Sequence, residues 1–156
     1  MQLQHFKKRI DILIIREATI EDAPEIHRIN ISSLDYHFPI DQTTKQIQKI
    51  LSLPNSKLFV AANDDNKVLG YIQMSDYENT YHKSLKNIIT LAVDGNHQHE
   101  GIGSKLIEHA EQWAKEDGSY GIRLVSGFER KSGHKFYDKH GYEIRKEEIN
   151  YIKWWN

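Results

Sequence analysis

Seven residues, Gln98-His99-Glu100-Gly101-Ile102-Gly103-Ser104, stand between an apolar run, Ile88-Ile89-Thr90-Leu91-Ala92-Val93, and a strongly amphipathic stretch. Strand, glycine-rich loop and helix are the parts of an anion cradle. Glycines at 101 and 103 let the backbone approach a ligand closely, and the first free N–H groups of the following helix can point at diphosphate oxygens. This loop is where the chain is expected to hold its partner. A dinucleotide fingerprint does not fit, because Leu106 takes the third glycine position and no acidic residue ends a strand about 20 residues later. The phosphate loop of nucleotide hydrolases is also excluded, since no Gly-Lys-Ser or Gly-Lys-Thr occurs.

Other side chains able to do chemistry are scattered. Tyr137 follows Phe136 and precedes a glycine, Gly141, so it reads either as a core tyrosine or as a hydroxyl presented to a cleft by a short helix. Tyr36, Phe38, Tyr77 and Tyr81 are either packing residues or the walls of a pocket for an amine, with Asp35 and Glu78 attracting its charge. His97 and His99 lie two apart without a clear third ligand, which favours solvent-facing histidines over a metal site. His134 and His140 stand among Arg130, Lys131, Lys135 and Lys139, cations able to meet a phosphate at an exposed site.

Mixed α/β elements must position these residues. Ile10 to Arg16 is β-branched and predicts a first strand. Thr19, with Asp22 three residues on, predicts a helix start; Ala23, Ile26 and Ile29 form its apolar face. Asp41 is expected to cap a second short helix carrying Ile47, Ile50 and Leu51 up to Pro54, and residues 26–54 suit a flap over a site. Leu58–Ala62 and Val68–Ile72 flank Asn63-Asp64-Asp65-Asn66-Lys67 as a hairpin. After a polar link containing Tyr77, Tyr81 and His82 come the strand at 88–93 and a helix from Gly101 to Asp117, with Ile102, Leu106, Ala110, Trp113 and Ala114 on one face. Ile122–Ser126 predicts a strand, Ser132–His140 a short helix, and Tyr142–Arg145 with Ile149–Trp155 a β-rich end. The aromatic run Tyr151-Ile152-Lys153-Trp154-Trp155 either closes the sheet internally or forms a dimer interface.

With 156 residues, the chain suits one core, and a single domain over 1–156 is expected. Lys plus Arg number 21 against 22 Asp plus Glu, so bulk charge offers nucleic acid nothing. The absence of cysteine excludes a disulfide framework, a thiol nucleophile and thiolate metal sites. No apolar run reaches membrane-spanning length and the first nine residues lack a signal-peptide core, so the expected setting is cytoplasmic, without a membrane partner.

Two blocks resemble the GCN5-related N-acetyltransferase superfamily. Its acyl-CoA loop follows Arg/Gln-x-x-Gly-x-Gly/Ala, matched by Gln98, Gly101 and Gly103; its C-terminal Phe-Tyr-x-x-x-Gly-Tyr/Phe block stands here as Phe136-Tyr137-Asp138-Lys139-His140-Gly141-Tyr142. Leu91-Ala92-Val93 sits where the family has the strand that splays from its neighbour and binds pantetheine. The resemblance implies an acyl-CoA N-acyltransferase fold, a mixed and mostly antiparallel sheet flanked by helices. It also implies acetyl-CoA as cosubstrate, a small amine or polypeptide amino group as acceptor, and a homodimer.

On this resemblance, backbone amides from His99 through Glu100, Gly101, Ile102, Gly103 and Ser104 would bind the diphosphate. The backbone of Leu91 and Val93 would hold the pantetheine arm and offer an N–H to the thioester oxygen. Tyr137 would be the general acid for the departing thiolate; at an ordinary pKa of about 10 it keeps its proton at neutral pH. Many relatives carry a glutamate base on the thioester strand, but Lys86-Asn87-Ile88-Ile89-Thr90 has none. A water relay ending on Asp35, Asp76, Glu78 or His82 is therefore expected, with Asp35, Tyr36, Tyr77 and Glu78 as acceptor contacts. The alternative is a non-catalytic acyl-CoA-binding or regulatory domain.

Overall fold

Hydrophobic side chains alternate along a central hairpin and feed two different faces. The computed structural model describes residues 12–155, in two compact units divided between Val125 and Ser126. The first unit contains β1 (Ile14–Glu17), α1 (Ala23–Leu34), α2 (Ile40–Ser52), β2 (Ser56–Ala62), β3 (Val68–Tyr77), β4 (Leu85–Val93), α3 (Ile102–Glu116) and β5 (Ile122–Leu124). The five strands form one sheet in the order β1-β2-β3-β4-β5; β1 to β4 are antiparallel and β5 is parallel to β4. The α3 crossover permits that one parallel pair.

On one face, Ile26 and Ile29 of α1 and Ile47 of α2 pack in a cluster with Leu58, Val60, Val68, Tyr71 and Ala92 of the sheet. Strand neighbours of these residues, including Ile72 and Met74, are also buried, as are Ile102, Leu106, Ile107 and Ala110 of α3. Gly70 sets how closely α3 can approach. A Cβ there would lie 2.9 Å from the Ala92 carbonyl oxygen and 3.1 Å from Ile102 Cγ2, so only glycine lets the start of α3 sit against β3.

The hairpin matches its expectation and is longer, with Phe59 opposite Ile72 and Val60 opposite Tyr71. Other boundaries shift. Tyr77 ends β3 opposite Leu85 and does not belong to a polar link. The N-cap of the second helix is Pro39, with Asp41 inside the first turn; a fixed φ suits Pro to this boundary. Residues 26–54 are two helices with core-facing residues Ile26, Ile29 and Ile47, so most of this region is built into the fold and does not form a flap. The Asp22 carboxylate accepts the Thr19 N–H at 2.8 Å, as the helix-start reading requires, and holds Arg16 at 2.7 Å. Residues 10 and 11 of the expected first strand, and the N-terminal segment read for a signal peptide, lie outside the described residues.

The second unit contains α4 (Lys131–Lys139), closed by Gly141 at φ 84°. Residues 142–155 form no strand, correcting the expected β-rich end. Tyr151, Trp154 and Trp155 are largely exposed. High β-propensity is insufficient without a neighbouring strand to pair its N–H and C=O groups.

Candidate active site

The strand entering the glycine loop is opened by a bulge. Gln73 opposes Thr90 while Met74 opposes Ile88, so Ile89 is an extra residue in β4. Such bulges bend a strand and re-aim its groups. β4 pairs with β5 only through Lys86, Asn87 and Ile88. Beyond that point, Asp94 donates its N–H to the Leu69 carbonyl at 2.8 Å. Antiparallel alternation therefore turns the N–H and C=O of Ala92 into β3 and those of Leu91 and Val93 away from it. Ser33 Oγ on α1 donates to the Val93 carbonyl at 2.5 Å. The Leu91 peptide groups and the Val93 N–H are left facing the opened side of the strand.

The corner after β4 is locked before the loop begins. Asp94 caps the turn Gly95–His97 by accepting the Asn96 N–H at 3.0 Å, and its other oxygen receives Arg28 Nη1 of α1 at 2.6 Å. Burial raises the Asp94 pKa, but the Asn96 N–H and the Arg28 guanidinium outweigh it and hold the carboxyl below its ordinary range. His97 Nδ1 and Glu100 Oε2 lie 2.8 Å apart.

Two left-handed residues then turn the chain, His99 at φ 63° and Gly101 at φ 81°. The first helical bond of α3 runs from Lys105 N–H to Gly101 C=O at 3.1 Å. Amides ahead of it, those of Ile102 and Gly103 included, have no acceptor within the helix and point out of its positive end. A Cβ at Gly101 would meet nothing within 4 Å. Glycine there serves the backbone angle and leaves open space beside the amides. Gln98, Glu100 and Ser104 belong to the same corner, as the sequence predicts.

The four acceptor candidates each have local partners. Asp35 is the left-handed residue closing α1 and pairs with His37 at 2.6 Å; Tyr36 follows it and is exposed. Tyr77 stacks with His82 at 5.7 Å and lies under the Arg123 guanidinium at 4.5 Å, while Glu78 accepts from Ser84 Oγ at 2.9 Å. Because Tyr77 opposes Leu85, it lies six residues along β4 from Leu91, or about 20 Å at strand rise. Among the proposed proton acceptors, Asp76 is held by Lys86 at 2.5 Å. His82 is engaged at both nitrogens, by Asn79 Nδ2 and by the Lys83 carbonyl.

Tyr137 lies on α4 in the second unit. Its ring meets Phe136 at 5.3 Å and Tyr142 at 5.7 Å, both edge-on. Burial raises its pKa, opposed by the positive charge of Arg130, and the hydroxyl therefore holds its proton at neutral pH.

Sequence reasoning missed Arg28, Ser33 and the bulge at Ile89. Asp94 followed by Gly95-Asn96 carries a local capping signal, but nothing local announces a contact from α1 sixty residues away.

A family model described as the acetyltransferase (GNAT) family matches residues 23–142. The chain belongs to that family. It is 41% identical over 46 residues to an uncharacterized N-acetyltransferase, YhdJ, of Bacillus subtilis; that match covers 29% of this chain and 32% of the relative. A structure described as a transcriptional regulator from Bacillus halodurans superposes with TM-score 0.82 at 22% identity, covering 91% of this chain and all of that one. An aminoglycoside N-acetyltransferase in complex with CoA gives TM-score 0.82 at 19% identity, with 94% and 97% coverage. An aminoglycoside acetyltransferase from an uncultured soil metagenomic sample gives 0.77 at 25%, with 92% and 97%. The sheet and helices described above are the GNAT fold.

Proposed function

We propose that this protein moves the acetyl group of acetyl-CoA to a primary amine. The observation carrying this reading is the opened end of β4: a bulge at Ile89, pairing to β5 that stops at Ile88, and outward-facing peptide groups leading into an anion-binding loop. Amides at the start of α3 suit a diphosphate, and the peptide groups of Leu91 with the Val93 N–H suit a pantetheine arm. An N–H from this strand would stabilise negative charge developing on the thioester oxygen during attack. Tyr137 is the proposed general acid for the thiolate; burial keeps its hydroxyl protonated at neutral pH, the state an acid must start from.

The engaged states of Asp76 and His82 support a water relay for deprotonating the amine rather than one committed base. The family match spans the division between the two units, which supports treating 1–156 as one functional domain. No helix among the described residues is long and apolar enough to cross a membrane; we place the protein in the cytoplasm. The exposed Tyr151–Trp155 segment supports a homodimer, checked by sedimentation of the full chain.

The activity test measures thiol release and product mass with acetyl-CoA and an amine panel, beside the acetyl-CoA-dependent rise in melting temperature. Coenzyme-dependent stabilisation with thiol release establishes the transferase. Stabilisation without release from any amine favours the non-catalytic acyl-CoA-binding reading. Neither effect removes both.

A further inference from the structure

A cavity of about 260 Å³ lies between α1, α2 and the β2–β3 hairpin, and none of its lining residues carries a charge. Its apolar wall includes Phe38, Ile47 and Leu58; its polar groups include Asn30, Gln46, Tyr71 and Gln73. Gln73 opposes Thr90 in β4, the residue before Leu91, so the cavity floor adjoins the strand whose opened edge is the proposed thioester contact. The Tyr71 hydroxyl donates to Asn30 Oδ1 at 2.5 Å. This bond fixes the Asn30 amide with its NH2 group left for another acceptor. The side-chain carboxamides of Gln46 and Gln73 make no hydrogen bond to the described residues.

We propose that this cavity is the specificity pocket for the acceptor, and that it takes the uncharged end of a monoamine: an apolar spacer ending in a hydroxyl or carboxamide. The proposal rests on the transferase reading and adds the acceptor class. The chemistry follows from the lining. Carboxamides both donate and accept, so Asn30, Gln46 and Gln73 can satisfy a neutral polar group from several directions. A second ammonium would lose water in the same place without meeting a carboxylate, which is unfavourable. Phe38, Ile47 and Leu58 favour methylenes between the two ends. The pocket thus selects by leaving one class of ligand unpaired as well as by bonding the other.

The test uses matched acceptors of equal length, ω-amino alcohols and ω-amino amides against the corresponding diamines, at saturating acetyl-CoA. The neutral-tailed amines should have the larger kcat/KM, by about tenfold for one satisfied hydrogen-bonding group. Gln73→Leu should lower kcat/KM for neutral-tailed amines relative to simple alkylamines, with acetyl-CoA affinity retained. Gln73→Glu should reverse the preference towards diamines. Gln46→Glu, at an exposed helix position, should shift it the same way and serves if Gln73 variants fold poorly.

The same amines are titrated into protein saturated with CoA, which reads the pocket without turnover. If no amine is acetylated but neutral-tailed amines bind and lose affinity in Gln73→Leu, the transferase reading fails and the pocket stands. Equal or better use of diamines by the parent protein overturns the pocket, as do glutamate variants that leave the preference unchanged. Absence of amine binding together with absence of transfer overturns it as well.

Discussion

Arg28 Nη1 and Asp94 Oδ2 lie 2.6 Å apart, joining the middle of α1 to the residue where β4 turns into the glycine loop. The Asp94 side chain is only 3% exposed, whereas that of Arg28 is 36% exposed. Removing the cation strands a nearly buried carboxylate, so Arg28→Met should destabilise the fold by about 2 kcal/mol. That figure lies below the 3–5 typical of a fully buried pair because solvent screens the exposed arginine. The same variant should weaken acetyl-CoA binding, since Asp94 also orients the Asn96 amide. Denaturant unfolding and isothermal titration check the two effects; unchanged values in both would show that the ion pair neither stabilises the corner nor shapes the loop.

Acid should expose the same contact. Both Asp94 and Asp22 have folded pKa values held below the ordinary carboxylate range, Asp22 by Arg16 and the Thr19 N–H against the opposing effect of burial. A depressed folded pKa contributes stability that is present above the unfolded value of about 3.9 and is lost as pH falls through the folded value. Stability should therefore drop below about pH 4, and less steeply in Asp94→Asn, which removes one of the two titrations. Melting temperature measured from pH 7 to pH 3 checks this.

The Lys86 ammonium is nearly buried, bonded to Asp76 and Asp117, and 4.5 Å above the Trp113 ring. Its partners are much more exposed, which makes the cluster asymmetric. Lys86→Met should change stability by less than about 1 kcal/mol, because an apolar chain can replace the buried stem and both carboxylates can reach water. Asp76→Ala combined with Asp117→Ala should cost about 3 kcal/mol, since it leaves the buried ammonium alone. Equal costs in chemical denaturation would contradict this asymmetry.

Gly101 has φ 81° with open space where a Cβ would stand. Gly101→Val should fold with a modest loss, about 1 kcal/mol or slightly more from the unfavourable angle, yet bind acetyl-CoA at least about tenfold more weakly. The branched side chain would enter the space beside the open amides. Calorimetry showing parent affinity in the folded variant would move the diphosphate site elsewhere.

Tyr137→Phe keeps the ring contacts with Phe136 and Tyr142 and removes only the hydroxyl. Acetyl-CoA affinity should persist, while single-turnover transfer slows by about ten- to a thousandfold. Transfer at the parent rate would make Tyr137 a packing residue. Single substitutions of Asp35, Asp76, Glu78 or His82 should each leave measurable transfer. A folded variant with intact affinities, no transfer and rescue at higher pH would identify that residue as a committed base.

Local chemistry made much of the fold legible. Thr19 with Asp22 marks a helix start, 63–67 marks a hairpin, and the apolar spacing in 102–114 marks α3; each signal lies within a few residues of the element it specifies. The glycine loop was readable for the same reason. The C-terminal reading failed where local propensity competes with pairing: Ile149, Tyr151, Ile152, Trp154 and Trp155 favour strands in isolation, but form none in the structure. The acceptor reading grouped Tyr36 with Tyr77 because both are aromatic, whereas strand register puts Tyr77 opposite Leu85, six residues along β4 from Leu91.

The sequence by itself determined the order of elements through α4, the family blocks and the positions where only backbone freedom permits a turn, because these depend on neighbours along the chain. Tertiary structure decided which groups meet. It brought Arg28 and Ser33 of α1 onto the end of β4, set an extra residue at Ile89 so that Leu91 and Val93 face away from β3, and enclosed Gln73, Tyr71 and Asn30 in one uncharged cavity. Those contacts depend on packing two helices and a twisted sheet against each other, and no spacing along a single element encodes such distances.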